Sequence, residues 1–142
     1  MKNCIICSKH QNSENVTIHE TGHFIVAHYP TSDEAPKMYQ GHLFIEPKRH
    51  ITCYSMVNDE EAKELGLLIQ KTGQALKQEL DAEHIYMFSI MHLAPHLHIH
   101  MVPRYKGTPE EFWDRKLHDW PQAPKLNTEE IKNLSQNLSK YF

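Results

Sequence analysis

Residues 95–102 read Pro95-His96-Leu97-His98-Ile99-His100-Met101-Val102. On a β-strand, side chains turn over with period two. His96, His98 and His100 then share one face, and Leu97, Ile99 and Met101 share the other. The apolar face belongs in a core; the imidazole face lines something polar. Neighbours on one face lie roughly 6.6–6.8 Å apart along a strand, so three imidazoles can divide their labour. One can be a nucleophile, because a neutral ring keeps an in-plane lone pair on one nitrogen while the other holds the proton. One can donate to an oxyanion, and one can ligate a metal. All three could ligate a single ion only if the strand bends or the rings converge. Histidine is also abundant overall, with 12 residues against 15 Lys+Arg.

A second group opens the chain. Cys4 and Cys7 have the C-x-x-C spacing that lets two thiolates grip one ion from a tight turn. They are half of a tetrahedral set, and the other half must come from elsewhere. The alternative is a free pair at the terminus. With Cys53, which reads as a buried thiol without a role, the cysteines number three. An odd count argues against a disulfide framework and for a reducing compartment, so a cytoplasmic location is expected.

The elements that must carry these residues are short. Val16-Thr17-Ile18-His19-Glu20 and residues 23–29 read as a hairpin of strands split near Gly22. Residues 30–40 hold two prolines among polar residues and read as a loop. Leu43-Phe44-Ile45 is a strand stopped by Pro47. Asn58 caps a helix whose first turn is acidic (Asp59, Glu60, Glu61), and Ala62, Leu65, Leu68, Ile69, Ala75, Leu76 and Leu80 form its apolar stripe. Residues 85–91 read as a buried strand and 97–102 as another, ended by Pro103. Residues 104–126 are irregular and hold Trp113 and Trp120, with one helical turn near Pro109. Asn127 or Thr128 caps a last helix through Ile131, Leu134, Leu138 and Tyr141. This order makes an α+β domain with an antiparallel sheet of about five strands, one long central helix and a C-terminal helix.

The chain of 142 residues is one domain, with a core over about 3–106 and a tail over 107–142. Its formal charge of -3 excludes a strongly basic binder of nucleic-acid polymers. A hydrophobic content of 39% and a mean hydropathy of -0.62 fit a soluble globular protein. No apolar run approaches the length of a membrane span, and the first residues lack a signal-peptide pattern.

The triad, His96-x-His98-x-His100, resembles the motif of the histidine triad (HIT) family of nucleotide hydrolases and transferases. Two more stretches are similar to the family. Gly41-His42-Leu43-Phe44-Ile45-Glu46-Pro47-Lys48-Arg49-His50 resembles its glycine-histidine strand ending in a proline-lysine-x-histidine turn. Cys4-Ile5-Ile6-Cys7 resembles the paired cysteines of zinc-containing bacterial members. The resemblance covers about residues 3–106. It implies a structural zinc held by Cys4, Cys7, His50 and His96. It implies that His98 attacks the α-phosphate of a nucleotide conjugate to form a nucleotidyl-histidine, with His100 bonding the phosphate or leaving oxygen and His42 close to the nucleophile. A homodimer with the sheet extended across its centre is implied as well.

The sequence departs from the family at three places. Met91-His92-Leu93-Ala94 replaces the usual glycine-glutamine-serine/threonine-valine, so the phosphate-binding hydroxyl is missing at Leu93, with Ser89 and His92 as substitutes. His28 stands where the family places a ribose-binding aspartate. The 30–40 loop is longer. A nucleotide-binding sensor or scaffold that has lost turnover is therefore the competing reading. A cupin-type oxygenase is excluded by the lack of a glutamate and glycines after the His-x-His pair.

Overall fold

The computed structural model describes residues 3–11 and 16–142. In chain order the elements are α1 (Ile5–Gln11), β1 (Thr17–Glu20), β2 (Phe24–His28), β3 (Met38–Tyr39), β4 (Leu43–Pro47), α2 (Asp59–Leu80), β5 (His84–Phe88), β6 (Ile99–Arg104), β7 (Lys125–Leu126) and α3 (Thr128–Ser139). Short 3-10 turns lie at Tyr54–Met56, Glu110–Phe112 and Asp114–Asp119. Five strands form one sheet in the order β1-β2-β4-β6-β5, with every neighbouring pair antiparallel. The architecture is the expected α+β one.

Alternation in the strands makes the layers. Phe24 and Val26 of β2, Leu43 and Ile45 of β4, and Ile99 and Met101 of β6 all enter one core with Leu65, Leu68, Ala75 and Leu76 of α2 and Leu134 and Leu138 of α3. Residues of opposite parity, Phe44, Glu46 and His100, point to the other face. Both helices start where the sequence caps them. Asn58 and Asn127 each accept the backbone N–H three residues on, and Glu61 and Glu130 reach back to complete capping boxes.

Several expectations need correction. Residues 85–91 are not a buried strand: β5 ends at Phe88, lies at the sheet edge and leaves Met87 half exposed. Pro103 does not end β6, which continues to Arg104. Beyond Met101, whose partner Leu43 is the first residue of β4, only β5 flanks this strand, so the ladder on the β4 side makes no demand on the missing proline N–H. The triad accordingly straddles the strand boundary, with His96 and His98 ahead of β6 and His100 inside it. The 30–40 loop contains β3, which pairs with β7 from the tail as a second, two-stranded sheet. Pairs this short leave no periodic signal. Ala62 is exposed rather than part of the apolar stripe, and Cys53 is exposed rather than buried.

The tail is anchored, not loose. Leu117 is fully buried with Tyr39 and Val102 against Tyr86, Phe88 and Tyr105. The Arg104 guanidinium lies 3.8 Å from the Trp113 ring centroid, and Trp113 Nε1–H donates to the Thr108 carbonyl.

Candidate active site

The sheet face away from α2 and α3 carries the chemistry. His100 is the cross-strand partner of Phe44 on one side and of Phe88 on the other. The Phe88 ring stacks on it at 4.4 Å and 14°, and Phe44 meets it edge-on at 4.7 Å. This sandwich holds the imidazole plane and strips water from it. Burial, with the neighbouring His98, lowers the His100 pKa to about 4, so the ring is neutral near pH 7.

His98 precedes the strand and is held differently. Its Nδ1 lies 2.7 Å from the His96 carbonyl, which can only accept, so Nδ1 carries the proton and Nε2 the lone pair. The Ser89 hydroxyl donates to the His98 carbonyl at 2.7 Å. His98 and His100 line a cavity of about 420 Å³, together with Tyr29, Phe44, Glu46, residues 90–94, and Ile5, Ile6 and Lys9 of α1.

His42 stands behind this pair rather than in the cavity. It is 4% exposed, and its Nε2 lies 2.9 Å from Nδ1 of His100. Burial first, then the histidines around it, holds its pKa well below the ordinary imidazole value. Gly41 makes the turn that delivers it, at φ +78°.

The two cysteines meet two histidines. Cys4 Sγ and Cys7 Sγ lie 3.5 and 3.4 Å from Nδ1 of His96, and Cys7 Sγ lies 3.4 Å from Nδ1 of His50. All four donor atoms are within 4.8 Å of one another. A tetrahedral zinc with ordinary Zn–S and Zn–N bonds sets its sulfur and nitrogen ligands about 3.6 Å apart. His96 is fully buried, and its Nε2–H donates to the Pro47 carbonyl at 2.8 Å, which turns Nδ1 toward the thiols. Donor set, spacing and orientation all suit zinc.

Two expected substrate contacts are not placed in the cavity. His28 is buried, donates Nδ1–H to the Tyr29 carbonyl and accepts the Gly41 N–H at Nε2, so no ring nitrogen is left for a sugar. Ser89 spends its hydroxyl on the His98 backbone and does not line the cavity. His92 does line it and is exposed, and Leu93 at the mouth is 87% exposed. Met91 holds a left-handed φ of +61° where the family motif has glycine.

Sequence reasoning missed three groups. Glu46 is 1% exposed; it accepts Lys9 Nζ at 2.5 Å and His10 Nε2–H at 2.9 Å. Burial pushes its carboxyl up, but the His10 hydrogen bond and the Lys9 charge outweigh this and leave it lowered. The alternation His42, Phe44, Glu46 was the available signal. Tyr29, packed against His42 and Phe44, forms another wall of the cavity. His118 of the tail places Nε2 2.8 Å from Nδ1 of His42, and no local pattern marks it.

The model of the HIT domain matches residues 10–107. A HIT-like protein of Mycoplasma pneumoniae is 30% identical over 113 residues, which is 73% of each chain. Among solved structures, a HIT-like protein of Bartonella henselae involved in cell-cycle regulation aligns with TM-score 0.70 and 20% identity, over 100% of this chain and 98% of that one. A Zn-bound histidine triad family protein of Mycobacterium smegmatis aligns with TM-score 0.69 and 18% identity, over 98% of this chain and 94% of the other. A histidine triad protein of Sinorhizobium meliloti aligns with TM-score 0.71 and 16% identity, over 100% and 99%.

Proposed function

Because the chain belongs to the HIT domain family, we propose that it cleaves nucleotide conjugates at the α-phosphate through a covalent intermediate on His98. The substrate class is a dinucleoside polyphosphate or a nucleoside phosphoramidate, and the enzyme is a hydrolase or nucleotidyl transferase. The observation that carries this reading is the tautomer of His98, whose Nδ1–H is spent on a carbonyl and whose Nε2 lone pair remains for attack.

In the first step Nε2 bonds to the α-phosphorus as the bond from phosphorus to the leaving oxygen or nitrogen breaks. The leaving group keeps that electron pair and takes a proton from solvent. In the second step a water oxygen bonds to phosphorus as the phosphorus–Nε2 bond breaks. The pair returns to Nε2 and the water proton passes to bulk, which yields a nucleoside monophosphate. His100, beside His98 in the cavity, donates to a phosphoryl oxygen where charge develops. His42 orients His100 from behind. The apolar walls, Ile5, Ile6, Tyr29 and Phe44, suit a nucleobase.

Cys4, Cys7, His50 and His96 would hold a structural zinc that ties α1, one wall of the cavity, to the sheet. A homodimer in a reducing, cytoplasmic setting completes the reading. Among the described residues no strand pairs with the outer edge of β5; that edge and the exposed Met87 and Leu67 support the self-association. No helix among the described residues is long and apolar enough to cross a membrane.

Turnover of a fluorogenic adenosine phosphoramidate and of diadenosine polyphosphates, wild type against His98→Ala, tests the proposal. The variant should lose at least about 10³-fold in kcat, as nucleophile removal does elsewhere. Equal rates would sink the assignment. A second reading, a nucleotide sensor without turnover, is favoured by Leu93 standing where the family has a phosphate-binding hydroxyl. Micromolar nucleotide binding with no turnover in the wild type would select it.

A further inference from the structure

Three imidazoles form a chain that starts outside the matched domain. His118 lies beyond residue 107, in the tail. Its Nε2 is 2.8 Å from His42 Nδ1, and His42 Nε2 is 2.9 Å from His100 Nδ1. The tail is pinned there by the fully buried Leu117, and the His118 ring packs on that of Tyr39 at 5.1 Å.

Each nitrogen–nitrogen contact needs one proton. Burial lowers the pKa of all three rings, so each carries a single proton near neutrality. Two patterns satisfy both contacts. In one, His118 Nε2–H donates to His42, His42 Nε2–H donates to His100, and His100 presents its own Nε2–H toward the cavity. In the other every proton is reversed, and His100 presents a lone pair that would repel a phosphate oxygen. Only the first makes His100 a donor.

We propose that His118 is a positioning residue whose Nε2–H fixes His42, and through it His100, as Nε2–H tautomers, so that a donor faces the reacting phosphate. The catalytic part of this inference rests on the reaction proposed for His98; the tautomer part does not. His118 does not line the cavity, so it acts on kcat and not on substrate affinity.

The test pairs long-range 15N–1H correlation NMR of the histidine rings with kinetics, in wild type, His118→Phe and His118→Gln. Wild-type His42 and His100 should both show protonated Nε2. His118→Phe should lose the single-tautomer signature of His42 and about 10-fold in kcat on the adenosine phosphoramidate, the rate equivalent of one hydrogen bond, with KM within about twofold. Glutamine carries an N–H near the position of Nε2, so His118→Gln should restore the tautomer and most of the rate. A protonated Nδ1 on His42 or His100 in the wild type overturns the proposal. So does a His118→Phe protein with both tautomers unchanged. If the wild type turns nothing over, the reaction at His98 fails separately, and the NMR result still decides the chain.

Discussion

Gly41 donates its backbone N–H to Nε2 of His28 at 3.0 Å, in the turn that delivers His42 to the site. His28 passes its own Nδ1–H to the Tyr29 carbonyl at 2.7 Å, so one buried ring pins two strand ends. Burial lowers the His28 pKa to about 4. Above the unfolded value of 6.5, both states are neutral and the full stability is present. As pH falls below 6.5 the unfolded chain takes up a proton that the folded ring refuses until about 4. Stability should therefore drop across that window, by about 3 kcal/mol from this residue. Urea unfolding at several pH values, wild type against His28→Leu, isolates it: the variant should lose about 1–3 kcal/mol at pH 7 and show a shallower acid slope. Parallel slopes would reject the role.

Gly41 itself should resist substitution. At its φ of +78° a Cβ would lie 2.6 Å from Leu80 Cδ1 and 2.9 Å from Pro103 Cγ. Gly41→Ala is expected to cost about 2 kcal/mol, from the left-handed backbone and the crowding together. Chemical denaturation measures it, and a loss under a few tenths of a kcal/mol would contradict the geometry.

Removing Glu46 takes a buried acceptor from Lys9 and His10 beside the cavity. Glu46→Ala should destabilise by about 2 kcal/mol, because Lys9 and His10 lose a buried acceptor. Its lowered pKa has its own pH signature: the contribution is complete above the unfolded 4.5 and is lost as pH falls through the folded value. The variant should also raise KM, since Glu46 and Lys9 both line the cavity. An unchanged unfolding midpoint would show that the pair contributes nothing.

Protein purified without chelator should carry one zinc ion per chain, measured by elemental mass spectrometry. Cys4→Ser or prolonged chelation should lower both Tm and nucleotide affinity, because Cys7 lies on α1 and Cys4 just before it, and α1 also supplies Ile5, Ile6 and Lys9 of the cavity wall. A trace of zinc with an intact fold would remove the metal from the proposal.

Sedimentation velocity should give a dimer, and Met87→Lys combined with Leu67→Lys should shift it to monomer. Both side chains are exposed, at 54% and 60%, so neither change disturbs the core. A wild-type monomer at tens of micromolar would end the dimer reading.

Much of the site was legible because strand alternation is a local property. That Leu97, Ile99 and Met101 enter the core while His98 and His100 line the cavity follows from the alternation of residues 96–101 alone. So does the Asn58 cap, whose partner lies three residues away; for the last helix the spacing allowed Asn127 or Thr128, and the fold puts the cap at Asn127. The cysteine pair could be read only as half of a ligand set. Its other half, His50 and His96, came from resemblance, and their donor atoms meet only in the folded chain. His28 was misread for a related reason: from sequence it stands at a substrate position, whereas its ring turns inward to bond Gly41 and Tyr29.

What the sequence by itself determined is the periodicity: which residues share a face, where α2 and α3 start, and that histidines concentrate on one strand and its neighbours. Tertiary structure alone decided which ring nitrogen each histidine has left to use. That depends on carbonyls and rings brought from as far as 76 residues away, as His118 is to His42. Hydrogen-bond direction is a property of contacts, and contacts between distant segments are fixed by packing rather than by spacing along the chain.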